Sequence, residues 1–136
     1  MKTLRVLVLE DDLETLGVIM GVLNAVEKEL LKNENKRDVA VTVFSEYTLV
    51  EDFVNKLINP NFDLVLLDRD CKLGGSFHAL DLDKFGKDKI IGISSVPDYN
   101  NSLLGVGVEI TINKDYSDLV NFGNRLEEVL VLKLKG

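Results

Sequence analysis

The chain has 136 residues, 46% of them hydrophobic, enough for one globular domain with its own core. A formal charge of -7 and a pI near 4.7 leave no net cationic surface to displace the counterions of nucleic acid. No apolar run approaches the roughly 20 residues that span a bilayer. Residues 1–3 lead straight into a strand pattern, without the apolar stretch and cleavage site of a secretory signal. The expectation is a single cytoplasmic domain over 1–136 that starts at Met1 and binds neither nucleic acid nor membrane.

In chain order, residues 4–9 read as a first strand, and Leu13, Leu16, Met20, Leu23 and Leu30 then recur at the spacing of a long amphipathic helix. Residues 32–38 are polar and predict a solvated loop. Residues 39–44 return to a β-branched strand. Apolar positions at Leu49, Val50, Phe53, Val54, Leu57 and Ile58 predict a helix over 47–58, ended by Asn59 and Pro60. Residues 63–67 form a third strand, followed by a polar turn containing Gly74 and Gly75 and a short helix over 77–85. Residues 90–94 make a fourth strand, 97–107 leave room for a short helix, and 108–112 make a fifth strand. Ser117 is placed to cap a closing helix with Leu119, Phe122, Leu126, Val129 and Leu130 on its apolar side. Lys133 and Lys135 suit the negative end of that helix. The lone Cys71 offers no disulfide partner and reads as a small loop residue, and the only histidine, His78, as a loop or helix residue rather than a catalyst.

Strands alternating with helices predict an α/β domain built on one sheet, and near-continuous apolar strands predict burial on both faces, as in a parallel sheet. In such sheets ligands bind at the carboxyl ends of the strands. Polar groups stand at four of those ends: Glu10, Asp11 and Asp12 after the first strand, Asp68 after the third, Ser94 at the end of the fourth and Lys114 after the fifth. Singly, each is an ordinary turn or capping residue. Gathered on one edge, they make an acidic pocket with one fixed cation. Neighbouring carboxylates need a cation or protons to coexist, and Mg²⁺ meets that need with oxygen ligands while leaving positions for phosphoryl oxygens. An aspartate becomes an effective nucleophile once metal and ammonium neutralise the incoming group.

The order of these stations, and the approach Asn59-Pro60-Asn61-Phe62-Asp63-Leu64-Val65-Leu66-Leu67-Asp68, resemble the receiver domain of two-component response regulators over almost the whole chain. The resemblance implies a flavodoxin-like (CheY-like) three-layer sandwich whose five-stranded parallel sheet has the order 2-1-3-4-5. It implies that Asp68 is the phosphoacceptor, with Lys114 and Ser94 as the groups that meet its phosphoryl oxygens. It further implies that Glu10, Asp11, Asp68 and the main-chain carbonyl of Asp70 hold Mg²⁺, while Asp12 serves equally well as a helix-terminal charge. The implied partners are a histidine kinase or phosphotransfer protein, which donates the phosphoryl group, and a downstream effector protein. No output domain is expected.

The sequence departs from that pattern in specific places. Asp115 follows Lys114 where the family usually has proline, Thr111 stands where an aromatic residue usually lies three positions before the lysine, and the loop 69–75 lacks the usual proline. These departures keep open a pseudo-receiver that binds partners without phosphorylation. Asp68-Arg69-Asp70 also resembles the paired aspartates of haloacid dehalogenase-like phosphatases, although Lys72 stands where that motif has Thr or Val and the chain has no room for a cap.

Overall fold

The first apolar run becomes strand β1, Lys2–Leu9, and it feeds two cores because successive side chains of a strand point to opposite faces. Leu4, Val6 and Val8 join one cluster, and Leu7 and Leu9 join another. The remaining strands of the computed structural model, which describes residues 2–134, are β2 (Arg37–Phe44), β3 (Leu64–Leu67), β4 (Ile90–Gly92) and β5 (Ile110–Thr111). All pair in parallel, in the order β2-β1-β3-β4-β5. This is the sheet order and fold class that the resemblance implies, on the single parallel sheet that the strand and helix pattern predicts.

The helices are α1 (Leu13–Leu31), α2 (Tyr47–Asp52), α3 (Leu82–Phe85), α4 (Pro97–Gly105) and α5 (Leu119–Leu134). Ile19, Val22, Leu23, Val26 and Leu30 of α1 and Leu119, Phe122, Leu126 and Leu130 of α5 cover one face of the sheet. Val50, Phe77, Leu80, Phe85 and Leu103 cover the other. β3 is apolar at every position because it is central and covered on both sides, with all four residues buried.

Several boundaries differ from the expectations, each for a tertiary reason. β2 starts at Arg37, two residues earlier than expected, because pairing with β1 extends to Lys2↔Arg37. The helix expected over 47–58 stops at Asp52. Phe53 takes non-helical dihedrals, and a 3₁₀ turn follows over Val54–Lys56. Six apolar residues are too many for the one stripe that meets the sheet: Val50 and Val54 are fully buried, whereas Phe53 and Ile58 are 63% and 89% exposed. The turn also aims Asn55 at the next connection, where its Nδ2 donates to Ala79 O at 2.9 Å and its Oδ1 accepts from Asp81 N at 2.8 Å. Those bonds interrupt the helix expected over 77–85, leaving a 3₁₀ turn at Phe77–Ala79 and a single α-helical turn in α3.

At α5 the expected Ser117 cap is replaced by Asp118, whose Oδ1 accepts from Asn121 N at 3.1 Å. The Ser117 amide and hydroxyl instead donate to Asp115 Oδ1 at 2.9 and 2.6 Å. Lys133 lies in the last turn of α5 as expected, and its Nζ donates to Asp88 O at 2.6 Å. Lys135 and the proposed start at Met1 lie outside the described residues. Among the described residues no helix is long and apolar enough to cross a membrane.

Candidate functional site

The sheet ladder continues a few residues past the strands and thereby sets the register of the polar stations. Asp68 N donates to Leu9 O at 3.0 Å, Ile93 N to Leu67 O at 2.9 Å, Ile112 N to Gly92 O at 2.8 Å, and Lys114 N to Ser94 O at 3.1 Å. Each bond aligns the end of one strand with its neighbour, so the carboxyl ends of β1, β3, β4 and β5 form one edge. Glu10, Asp68, Ser94 and Lys114 all lie there, and all are buried.

Glu10, Asp11 and Asp68 each present a carboxylate oxygen within 4.8 Å of the others. Glu10 Oε2 accepts from the Asp11 and Asp12 amides at 3.0 and 3.1 Å, and Glu10 Oε1 accepts from Lys114 Nζ at 2.6 Å. Lys114 Nζ also lies 3.2 Å from Asp68 Oδ2. Asp11 Oδ2 accepts from Lys72 N, which ties the loop after β3 to the loop after β1. Asp12 stays out of the cluster. It caps α1, accepting from the Thr15 amide at 2.9 Å and hydroxyl at 2.6 Å, and these bonds hold its carboxyl below the ordinary value.

Three carboxylates face one ammonium, so the cluster keeps two uncompensated negative charges when every member is ionised. Burial first, and then the Asp68 carboxylate, push the Glu10 carboxyl up to about 7, against the pull of Lys114. Burial alone would depress the Lys114 ammonium, but Glu10 and then Asp68 outweigh it and hold the amine above its usual range. Closely spaced hard oxygen donors with a deficit of positive charge suit a small divalent cation.

Asp70 divides into two parts. Its carboxylate is 65% exposed and pairs with Arg69 at 3.1 Å, outside the cluster. Its backbone lies opposite Ser76 in an antiparallel bridge whose hydrogen bonds come from the flanking residues: Phe77 N donates to Arg69 O at 2.8 Å, and Cys71 N donates to Gly75 O at 3.4 Å. Among the described residues no backbone hydrogen bond outside regular elements ends on the Asp70 carbonyl. The loop sits under the Tyr47 ring at Gly75, where φ is +82° and any Cβ would collide with that ring.

Two supporting residues are invisible to strand-end reasoning. Asn100 of α4 is 1% exposed. Its Oδ1 accepts from Ser94 N at 3.1 Å, and its Nδ2 donates to Ser94 O at 3.1 Å and to Asn113 Oδ1 at 2.6 Å. It therefore clamps the loops after β4 and β5 together. The helix can come this close because Gly92 has no side chain; a Cβ there would meet Leu103 Cδ1 at 2.6 Å. The only sequence signal is that Asn100 lies three residues before Leu103, on the buried side of α4. The second residue is Tyr116, whose hydroxyl lies 3.2 Å from Lys114 Nζ. Burial raises its phenol above the ordinary value, against the pull of Lys114.

The residues set aside in the sequence stay apart from this chemistry. Cys71 packs at the margin of a core, and burial pushes its thiol up to about 11, so it carries little thiolate at neutral pH. His78 lies in the 3₁₀ turn Phe77–Ala79, where burial and then Arg69 hold its imidazolium below the ordinary range.

No family model matches the chain, and no curated protein matches it by sequence. Its structure is similar to a response regulator receiver domain from Rhodospirillum rubrum, with a TM-score of 0.64 and 17% identity over 95% of this chain and 92% of that one. It is also similar to the non-phosphorylated HemR receiver domain from Leptospira biflexa, with a TM-score of 0.53 and 23% identity over 93% of this chain and 94% of that one. The chain thus has the receiver-domain fold, and at these identities the likeness concerns the fold.

Proposed function

We propose that this chain is a phosphoacceptor signalling domain: Asp68 takes a phosphoryl group from the phosphohistidine of a histidine kinase or phosphotransfer protein, in the cytoplasm, and the modified domain then binds an effector protein. The observation that carries this reading is the meeting of Glu10, Asp11, Asp68, Ser94 and Lys114 on one sheet edge, with Lys114 Nζ within 3.2 Å of the Asp68 carboxylate. In the transfer an oxygen of Asp68 attacks phosphorus, the P–N bond to the donor imidazole breaks, and its electron pair returns to the ring. The product is an aspartyl phosphate.

Glu10, Asp11, Asp68 and the Asp70 carbonyl are the groups that would hold Mg²⁺, which when bound neutralises phosphoryl charge. Lys114 supplies a second, fixed positive charge without reorganising, because buried carboxylates already orient it. Ser94 lies at the end of β4, with its amide and carbonyl held by Asn100, so its hydroxyl can turn to a phosphoryl oxygen while its backbone stays in place. The phosphatase alternative is weakened because Asp70, its candidate acid/base, pairs with Arg69 on the surface.

The test is incubation with acetyl phosphate and Mg²⁺, followed by intact-mass measurement. The expected result is one base-labile phosphoryl group, absent in Asp68→Asn. A protein that takes up neither this group nor beryllofluoride is a pseudo-receiver. One that turns over phosphomonoesters repeatedly through Asp68 and Asp70 is a phosphatase.

A further inference from the structure

The strand at one margin of the sheet, β2, has a single neighbour, β1. Val39 N donates to Glu27 Oε2 of α1 at 2.8 Å, so that amide points away from β1. Backbone groups alternate in direction along a strand, which turns the amides and carbonyls of Val41 and Val43 outward as well. Among the described hydrogen bonds outside the sheet ladder none ends on those two amides, and Val41 and Val43 are 37% and 38% exposed. Edge strands are commonly blunted by lysine, proline or a bulge. Residues 39–44 contain no charge and no proline.

Beside this edge lies an open groove lined by Met20, Leu23, Asn24 and Glu27 of α1 and by Val39 and Val41. Helix α1 carries more apolar surface than the sheet covers. Ile19, Val22, Val26 and Leu30 face the core. Leu13 and Leu31 instead fall within roughly 20° of Met20 around the helix, on the flank that borders the groove. Leu13 is 77% exposed. The open face is thus a strand edge with an apolar helix flank beside it.

We propose that a second copy of the chain docks on this face, β2 against β2 in antiparallel about a two-fold axis, forming one sheet with five strands from each copy. A second copy brings a strand and a helix at the matching offset, because the axis that pairs β2 with its mate also sets α1 beside its own mate. Charge fixes the register. With Val41 opposite its symmetry mate, outward backbone groups meet outward backbone groups, Val39 faces the second copy's Val43, and Lys36 faces the second copy's Glu46. Glu46 continues the line of β2, since its φ is -128° and its ψ 130°. A shift of two residues one way sets Asp38 against Glu46, and the other way sets Lys36 against Phe44. Pairing hands the Val39 amide from Glu27 to the second copy's Val43 carbonyl, which makes Glu27 a guard on one end of the edge. Strand ends point opposite ways in the two copies, so both Asp68 sites stay open, and the docking is independent of the chemistry proposed there.

The experiment is sedimentation equilibrium on the whole chain, with amide hydrogen exchange in parallel. Wild type is expected to dimerise, and the Val41 and Val43 amides to become protected as concentration rises. Val41→Pro removes an outward N–H that the ladder does not use, and Met20→Glu places a charge in the groove without touching the strand. Each is expected to weaken the dimer roughly tenfold or more, and Met20→Glu to expose both amides to exchange. Glu27→Ala removes the guard and is expected to tighten the dimer roughly two- to tenfold, the worth of one hydrogen bond. A chain that stays monomeric up to about 1 mM overturns the proposal and leaves the face to a strand from a different protein. A dimer that Met20→Glu leaves intact, that Glu27→Ala weakens, or that leaves the Val41 and Val43 amides unprotected overturns it as well, since it forms through another surface or register.

Discussion

Removing divalent metal and raising pH should destabilise this protein through Glu10, and the size of the effect follows from the site. Glu10 is fully buried beside Asp68, and its carboxyl is pushed up to about 7 from an ordinary 4.5. The folded state therefore binds a proton that the unfolded state has released between those values. Stability from this group is fully present below pH 4.5 and is lost as pH rises through about 7. At 1.36 kcal/mol per pH unit the loss approaches about 3 kcal/mol on the alkaline side. For a domain of this length it corresponds to a fall in Tm of about 10 °C.

Other groups contribute separately. The lowered carboxyls of Asp12 and Asp115 act below pH 3.8, losing stability as pH falls through their folded values. The lowered His78 imidazole gives the opposite slope to Glu10, since its contribution is present above pH 6.5 and lost as pH falls through its folded value. The assay is thus a difference: thermal melts of wild type and Glu10→Gln in EDTA from pH 4.5 to 8. Wild type should lose stability relative to Glu10→Gln as pH rises. Mg²⁺ at about a hundred times its dissociation constant should return about 2.7 kcal/mol to wild type. A difference that stays flat, or that grows in favour of wild type at high pH, would refute the assignment of a charge-strained buried Glu10.

Three further outcomes are expected. Asp11→Asn should weaken the Mg²⁺-dependent rise in Tm, measured by titration at pH 7.5, because it removes one of three clustered carboxylates. Asn100→Ala should cost about 1–3 kcal/mol in urea unfolding, since it leaves the buried Ser94 amide without its partner and takes one of two donors from the Ser94 carbonyl, and should broaden the Ser94 amide resonance. Gly75→Ala should cost more than about 1 kcal/mol by the same measurement, through its positive φ and its collision with Tyr47. In a Tyr47→Ala background that cost should shrink, and an undiminished cost would remove Tyr47 from the explanation.

The local pattern of the chain determined the architecture and the catalogue of candidate chemistry. Unbroken apolar runs such as Leu64–Leu67 can be buried on both faces only inside a helix-covered sheet, and a polar residue that ends such a run must fall on the sheet edge. Glu10, Asp68, Ser94 and Lys114 were legible for that reason. Asp12 was legible as a charge at the helix entry, with a metal role left open beside it, and the structure makes it the cap of α1 and keeps it out of the carboxylate cluster.

Tertiary structure decided what depends on residues far apart in the chain. Nothing near residue 53 stops a helix; Asn55 leaves it to bind Ala79 and Asp81, and the same bonds break the next helix. Ser117 and Asp118 are both good caps in isolation, and Asp115 settled the choice by taking the Ser117 amide and hydroxyl. Asn100 became a clamp only because Gly92 lets α4 approach β4 closely. Likewise Glu10 and Lys114, separated by 104 positions, meet at 2.6 Å through strand register. Burial of that pair, which no local pattern encodes, sets the charge balance on which any reaction at Asp68 depends.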